Sequence, residues 1–358
     1  MTNILDSNLH FNDAANLEIK DENFFLGISH ELRTPLTAIQ VALDLLSSGK
    51  LGNNLSPQEL RMVEIATKNT ERLMRLTNAI EREPEAQTLF LSPAEFAHLR
   101  LERDLKMALT RNEFKLCYQP IVSLTNNQIS GFEALIRWQH PTWGIIYPDK
   151  FIPLAEEKGL IIDIGFWVLQ EACRQLCSWQ QHSPDLFNSL TMSVNVSSKQ
   201  LALPLLVEQV KQVLQETGLQ PHNLVIEITE SAIIDNQVNA HKTLADLQNL
   251  GVRLYIDDFG TGYSSLSRLY ELPLDVLKID RSFVQKLDCS SGNHIVQAIA
   301  NLAHNLGLEV IAEGVETVEQ MNKLQLIGCN QGQGYFFAKP LENHEIVDFL
   351  FNQSTAVS

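Results

Sequence analysis

Along residues 21–83 the apolar positions follow the alternating three-and-four step of a helix. Phe25, Ile28, Leu32, Leu36, Ile39, Leu43 and Leu46 line up as one seam, the pattern of a helix that packs in a bundle. Residues 47–55 (SSGKLGNNL) read as a turn rich in Gly, Asn and Ser. Ser56-Pro57-Gln58-Glu59 then opens a second helix, with Ser at the N-cap, Pro at N1 and Glu at N3. A helical hairpin this short buries little by itself, so two copies are expected to pair into a four-helix bundle.

The pattern changes after a short linker. Ser92-Pro93 is a further helix start, and from there to about Phe351 strand-like and helix-like segments alternate. Strands are expected at 115–124, 129–138, 190–198, 223–231, 252–260, 275–280, 308–316 and around 333–340. Amphipathic helices separate most of them, for example over 160–180, 205–217 and 238–250. About 260 residues of alternating β and α units suit an α/β fold of the (β/α)8 TIM-like barrel type, with an open doubly wound sheet as the alternative. The expected organisation is a lead-in at 1–19, a helical hairpin at 20–83, a linker at 84–93, a barrel at 94–352 and a tail at 353–358.

The polar residues inside these strands carry the chemistry. Seven successive candidate strands, from the second to the last, carry a carboxylate, an amide or a lysine within or at one end of the strand: Glu133, Asn195, Glu227, Asp257 with Asp258, Lys278 with Asp280, Glu313 with Glu316, and Gln333. Taken singly, an Asp or Glu there is as often the N-cap of the next helix, Asn195 a turn residue and Lys278 a solvated lysine. Glu133 and Glu227, however, sit within apolar runs, where an unpaired carboxylate is costly. In a barrel such groups converge on the C-terminal face. Several inward carboxylates call for a cation, and an all-oxygen set favours magnesium or manganese over zinc.

Composition narrows the options. The chain has 358 residues, 44% of them hydrophobic, which is ample for a core, and a formal charge of −16. That charge disfavours a DNA or RNA duplex as partner, so a phosphate-bearing ligand must be met by metals or a few placed cations. Five scattered cysteines, at 117, 173, 177, 289 and 329, make neither a disulfide framework nor a zinc site. No apolar run is long enough to span a bilayer, and the N-terminus lacks the basic and apolar regions of a signal peptide. A cytoplasmic chain is expected.

The motifs YQPI, EALIRW, VNVS, EITES, DDFGTGYSSL, LKID, AEGVE and QGYFFAKP occur in order between residues 94 and 350. With Glu133-Ala134-Leu135 as the signature, this resembles the EAL family of cyclic di-GMP phosphodiesterases. The resemblance implies a barrel whose first strand runs antiparallel, two Mg2+ or Mn2+ ions, and hydrolysis of cyclic di-GMP to the linear dinucleotide. It implies metal ligation by Glu133, Asn195, Glu227, Asp257 and Asp258. Lys278 and Glu313 are the two candidates for the water-activating group. Gln119, Arg137, Asp280 and Gln333 would contact substrate, Arg137 through a phosphate. Glu230 would brace the loop after the paired aspartates, in which Gly260 and Gly262 give the backbone freedom. Asn330 stands where relatives often have Asp. A non-catalytic cyclic di-GMP receptor and a phosphorelay output protein are the competing readings.

Ser29-His30-Glu31-Leu32-Arg33-Thr34-Pro35-Leu36 resembles the phosphoacceptor box of histidine-kinase dimerisation domains, over about residues 20–82. The resemblance implies a homodimer, with His30 as the candidate phosphoacceptor, and a response regulator or a histidine kinase as partner. The sequence from residue 83 onward shows none of the boxes of an ATP-binding kinase domain, and no cyclase motif of the GGDEF type. A retained dimerisation bundle with a relic histidine is the alternative.

Overall fold

The structure, a computed structural model, describes residues 22–47, 63, 65–71, 73–74, 93–235, 237–260 and 270–356. The expected turn after Ser47, the capped helix start at 56–59 and Gly262 lie outside the described residues. The chain divides into two compact units, Met1–Glu102 and Arg103–Ser358.

In the first unit, α1 spans Glu22–Ser47 and contains Pro35. Its seam residue Leu36 is buried, whereas Leu32 and Ile39, one turn to either side, are about half exposed at 45% and 48%. Residues 65–71 are also helical. The division between the units falls within α2, Pro93–Ala108.

The second unit is a closed barrel. Its strands are β1 Phe114–Ser123, β2 Ile129–His140, β3 Gly144–Ile146, β4 Thr191–Val196, β5 Leu224–Thr229, β6 Arg253–Phe259, β7 Val276–Ile279, β8 Glu309–Ala312 and β9 Gln331–Gly332. They follow the order β1-β9-β8-β7-β6-β5-β4-β2-β3, and a β1–β2 pairing closes an eight-membered ring with β3 outside it. β1 is antiparallel to both neighbours, β2 and β9. The pairings from β2 through β4, β5, β6, β7, β8 and β9 are parallel. The longer helices of the unit are α3 Pro148–Glu157, α4 Ile161–His182, α5 Leu205–Thr217, α6 Gln237–Asn249, α7 Ser290–Asn305, α8 Val318–Ile327 and α9 Asn343–Ala356, and a short helix, Glu230–Asp235, follows β5.

Two details position the site. Ile121, Val225, Tyr255, Val276 and Ile311 form one buried apolar cluster drawn from five strands of the ring. Alternation places the residue two positions away on the same face of each strand. Those residues are Gln119, Glu227, Asp257, Lys278 and Glu313, so a polar layer lies directly against an apolar one. On β1 and β2, the other face buries Phe114, Phe132 and Trp138 among Phe151, Trp167 and Trp179.

The last strand differs from expectation. Only Gln331–Gly332 pair as strand. The following segment turns instead: the N–H groups of Phe337 and Ala338 donate to Gly334 O, and that of Phe336 donates to Val315 O. Its backbone donors are satisfied within the turn and by the loop after β8, so QGYFFAKP does not continue the sheet.

Candidate functional site

The polar layer closes around a lysine. Lys278, on the short buried strand β7, has a fully buried side chain. Its Nζ lies 2.6 Å from Glu227 Oε2 and 2.6 Å from Glu313 Oε1, 3.2 Å from Asp257 Oδ1 and 3.7 Å from Glu133 Oε2. Four carboxylates from four parts of the ring thus share one ammonium. Burial alone would lower the pKa of that amine, but the surrounding Asp257, Glu133, Glu227 and Glu313 hold it well above the ordinary lysine value. For the acids burial dominates. Despite Lys278, it pushes Glu227 up to about 8 and Glu313 well above the usual carboxylate range.

Amides complete the ring. Asn195 donates through Nδ2 to Glu133 Oε1 at 2.7 Å, and Gln333 donates through Nε2 to Glu133 Oε2 at 2.7 Å. The Gln333 amide also reaches Gln119 Oε1 at 3.2 Å, and Gln119 Nε2 donates to Ala338 O. Both oxygens of Glu133 are therefore aimed inward by hydrogen bonds, which is what an inward carboxylate on an apolar strand requires.

At the end of β6 the chain leaves the sheet through left-handed backbone. Asp258 has φ +54° and Gly260 has φ +96°. Asp257, Asp258 and Glu313 can bring one oxygen each within 4.8 Å of one another. Burial, then the neighbouring Asp257, pushes Asp258 up to about 6. The Gly260 N–H donates to Glu230 Oε2 at 3.1 Å, a hydrogen bond between this turn and the start of the helix after β5.

The donor set fits a divalent cation. Glu227 Oε1 is buried and has no hydrogen-bond partner among the described residues. An orphaned carboxylate oxygen inside a barrel is costly unless a cation meets it. The surplus of carboxylates over the single ammonium points the same way, and the ligand atoms on offer are all oxygens.

Not every expected residue joins this cluster. Asp280 caps the turn Arg281–Val284, accepting from Ser282 N–H at 3.0 Å. Arg137 lies four residues beyond Glu133 on the same face of β2, and lines a separate cavity of about 360 Å3 with Lys115, Cys117 and Gln139. Asn330 takes the bond that an Asp would take, accepting from Val310 N–H at 2.8 Å. His30 lies on α1, but its side chain is outside the described residues. Two residues near Arg137 carried no sequence signal: Lys115, its partner across β1–β2, and Tyr147, whose ring lies under the guanidinium. A period-two pattern gives a strand's faces but not its cross-strand partners.

Comparison with known proteins places this geometry. Residues 102–340 match the EAL domain. The chain belongs to the EAL family. Residues 20–83 match the His Kinase A (phospho-acceptor) domain. The cyclic di-GMP phosphodiesterase NbdA of Pseudomonas aeruginosa is 38% identical over 318 residues, covering 87% of this chain and 40% of that protein. The chain thus spans less than half of that relative's length. The EAL-type barrel superposes on the solved PaMucR phosphodiesterase in complex with c-di-GMP with a TM-score of 0.66, at 42% identity, covering 69% of this chain and 99% of that one. The EAL enzyme Bd1971, in a form with cAMP and cyclic di-GMP bound, gives a TM-score of 0.69 at 34% identity, covering 83% and 80%. Among the described residues, no helix is long and apolar enough to cross a membrane.

Proposed function

We propose that the barrel is a metal-dependent phosphodiesterase that hydrolyses cyclic di-GMP to linear pGpG, in a cytoplasmic signalling protein. The observation that carries the reading is the ring of Glu133, Glu227, Asp257 and Glu313 around a buried Lys278, with a Glu227 oxygen left unpartnered. Glu133, Asn195, Glu227, Asp257 and Asp258 would hold two divalent cations, Mg2+ or Mn2+. When bound, such ions would supply a water nucleophile at neutral pH and neutralise charge on the phosphodiester. The side chains do the rest. Gln333 and Asn195 keep Glu133 aimed inward. The Lys278 ammonium, bonded to Glu313, would orient the water and Glu313 would take up its proton, while Glu230 holds the Asp258 turn. Arg137, outside the carboxylate ring, receives a phosphate oxygen. Gln119 and Asp280 line the approach of the substrate. The water oxygen adds to one phosphorus, the bond from that phosphorus to the 3′ oxygen breaks, the departing 3′ oxygen takes up a proton in place of the one the water gave up, and the ring opens.

The hairpin at 20–83 would pair two chains and carry His30 as a phosphoacceptor served by a separate kinase or response regulator. The direct test is hydrolysis of cyclic di-GMP by the purified chain with and without Mg2+ or Mn2+. Metal-dependent appearance of pGpG is expected, and Glu133→Ala should abolish it. Tight binding of cyclic di-GMP with no turnover would instead make the protein a receptor.

A further inference from the structure

The register of the β2–β3 hairpin sets a residue beside Arg137 that the reaction does not otherwise use. β3 pairs antiparallel with β2, with Trp138 opposite Ile146 and Gln139 opposite Ile145. Extending that register by one residue, just past the end of β3, would set Tyr147 opposite Arg137. Directly opposed residues in such a pair share a face and sit close enough for side-chain contact. The contact is made: the Arg137 guanidinium carbon lies 5.3 Å from the centre of the Tyr147 ring.

Arg137 has little else to hold it. Its Nη1 donates to Ile136 O at 2.8 Å, and among the described residues no carboxylate pairs with it. Its partner across β1–β2 is Lys115, another cation, which repels rather than anchors it. Tyr147 is itself fixed at the backbone. It stands at the N-cap of α3 with extended backbone, and its carbonyl accepts from Lys150 N–H. The hairpin turn before it is rigid: the buried His140 accepts at Nδ1 from the N–H groups of Thr142 and Trp143, stacks on Trp143 and reaches Asp104 through Nε2 at 3.2 Å. Yet the Tyr147 residue is 56% exposed, so the ring is not there to fill the core.

The geometry points to Tyr147 as a positioning residue for the phosphodiester: its ring holds the Arg137 guanidinium in place for a phosphate oxygen. The inference rests on the reading of Arg137 as a phosphate ligand. A preset guanidinium gives up less side-chain freedom when the phosphate arrives. Because the ring touches the guanidinium and none of the carboxylate ring, its loss should act on binding rather than on the chemical step.

The test compares Tyr147→Ala, Tyr147→Phe and Arg137→Ala with the wild type, in cyclic di-GMP hydrolysis with Mn2+ and in equilibrium binding of cyclic di-GMP. Tyr147→Ala should raise KM, and the binding constant Kd with it, about two- to fivefold, the size of an exposed cation–π contact, with kcat little changed. Tyr147→Phe, which keeps the ring, should behave as wild type. Arg137→Ala should raise KM more than Tyr147→Ala does. A Tyr147→Ala enzyme with unchanged KM and Kd, beside an impaired Arg137→Ala, overturns the role of Tyr147 and leaves Arg137 standing. An Arg137→Ala enzyme with unchanged KM and Kd overturns both. If the wild type binds without turnover, the phosphodiesterase reading fails while the Kd arm still decides for or against Tyr147.

Discussion

Lys278 is the residue on which the site turns. An ammonium with no exposed surface, touching Glu227 and Glu313 at 2.6 Å, is the cation that makes the buried carboxylates tolerable in metal-free protein. Removing one member of a buried charge network leaves its partners uncompensated, at a cost of about 3–5 kcal/mol. Lys278→Met should therefore lower the stability of the metal-free protein by about that amount, read by urea unfolding in the presence of a chelator. Added Mn2+ should restore more stability to the variant than it adds to the wild type, because divalent charge then replaces the missing ammonium. Equal unfolding curves for the two proteins without metal would mean that Lys278 neutralises nothing.

Among the elements, the turn leaving β6 joins sequence to site most directly. Asp258 and Gly260 both take left-handed backbone, and the Gly260 N–H is tied to Glu230 at the start of the helix after β5. Glu230→Ala should free that N–H, speed its hydrogen exchange and cost at least about tenfold in turnover by loosening Asp258, as loss of an outer partner commonly does. Unchanged exchange at Gly260 would show that the turn holds itself. Much of this architecture could be read from the sequence, because apolar alternation and strand-end polarity are local signals. The helix expected at 205–217 spans those residues, and Glu133 and Glu227 are buried on their strands, within the apolar runs that flank them. Other features depend on contacts between distant segments. The turn after Gln333 is set by Val315 O, the centring of Lys278 among four strands by barrel closure, and the Tyr147–Arg137 contact by hairpin register. None of these leaves a periodic trace.

For the whole molecule, the open question is what the first unit does for the second. The α1 seam that predicts a bundle is only partly covered: Leu32 and Ile39 are about half exposed, while Leu36 between them is buried. Exposed apolar residues in register along one helix are the face a second helix covers, and a second copy of this chain supplies one. With the His Kinase A match over the same residues, this predicts a dimer in solution. Sedimentation of the full chain should give twice the chain mass. Leu32→Glu combined with Ile39→Glu should give monomers, because two charges per helix would then be buried unpaired at the interface. His30→Ala should leave the dimer intact, since the apolar seam does not include it. The barrel has its own core in residues 103–358, so the monomeric variant should keep its near-ultraviolet circular dichroism from the tryptophans at 138, 143, 167 and 179. Turnover per barrel that differs between dimer and monomer would show that the hairpin regulates hydrolysis. A variant that stayed dimeric would move the interface away from α1.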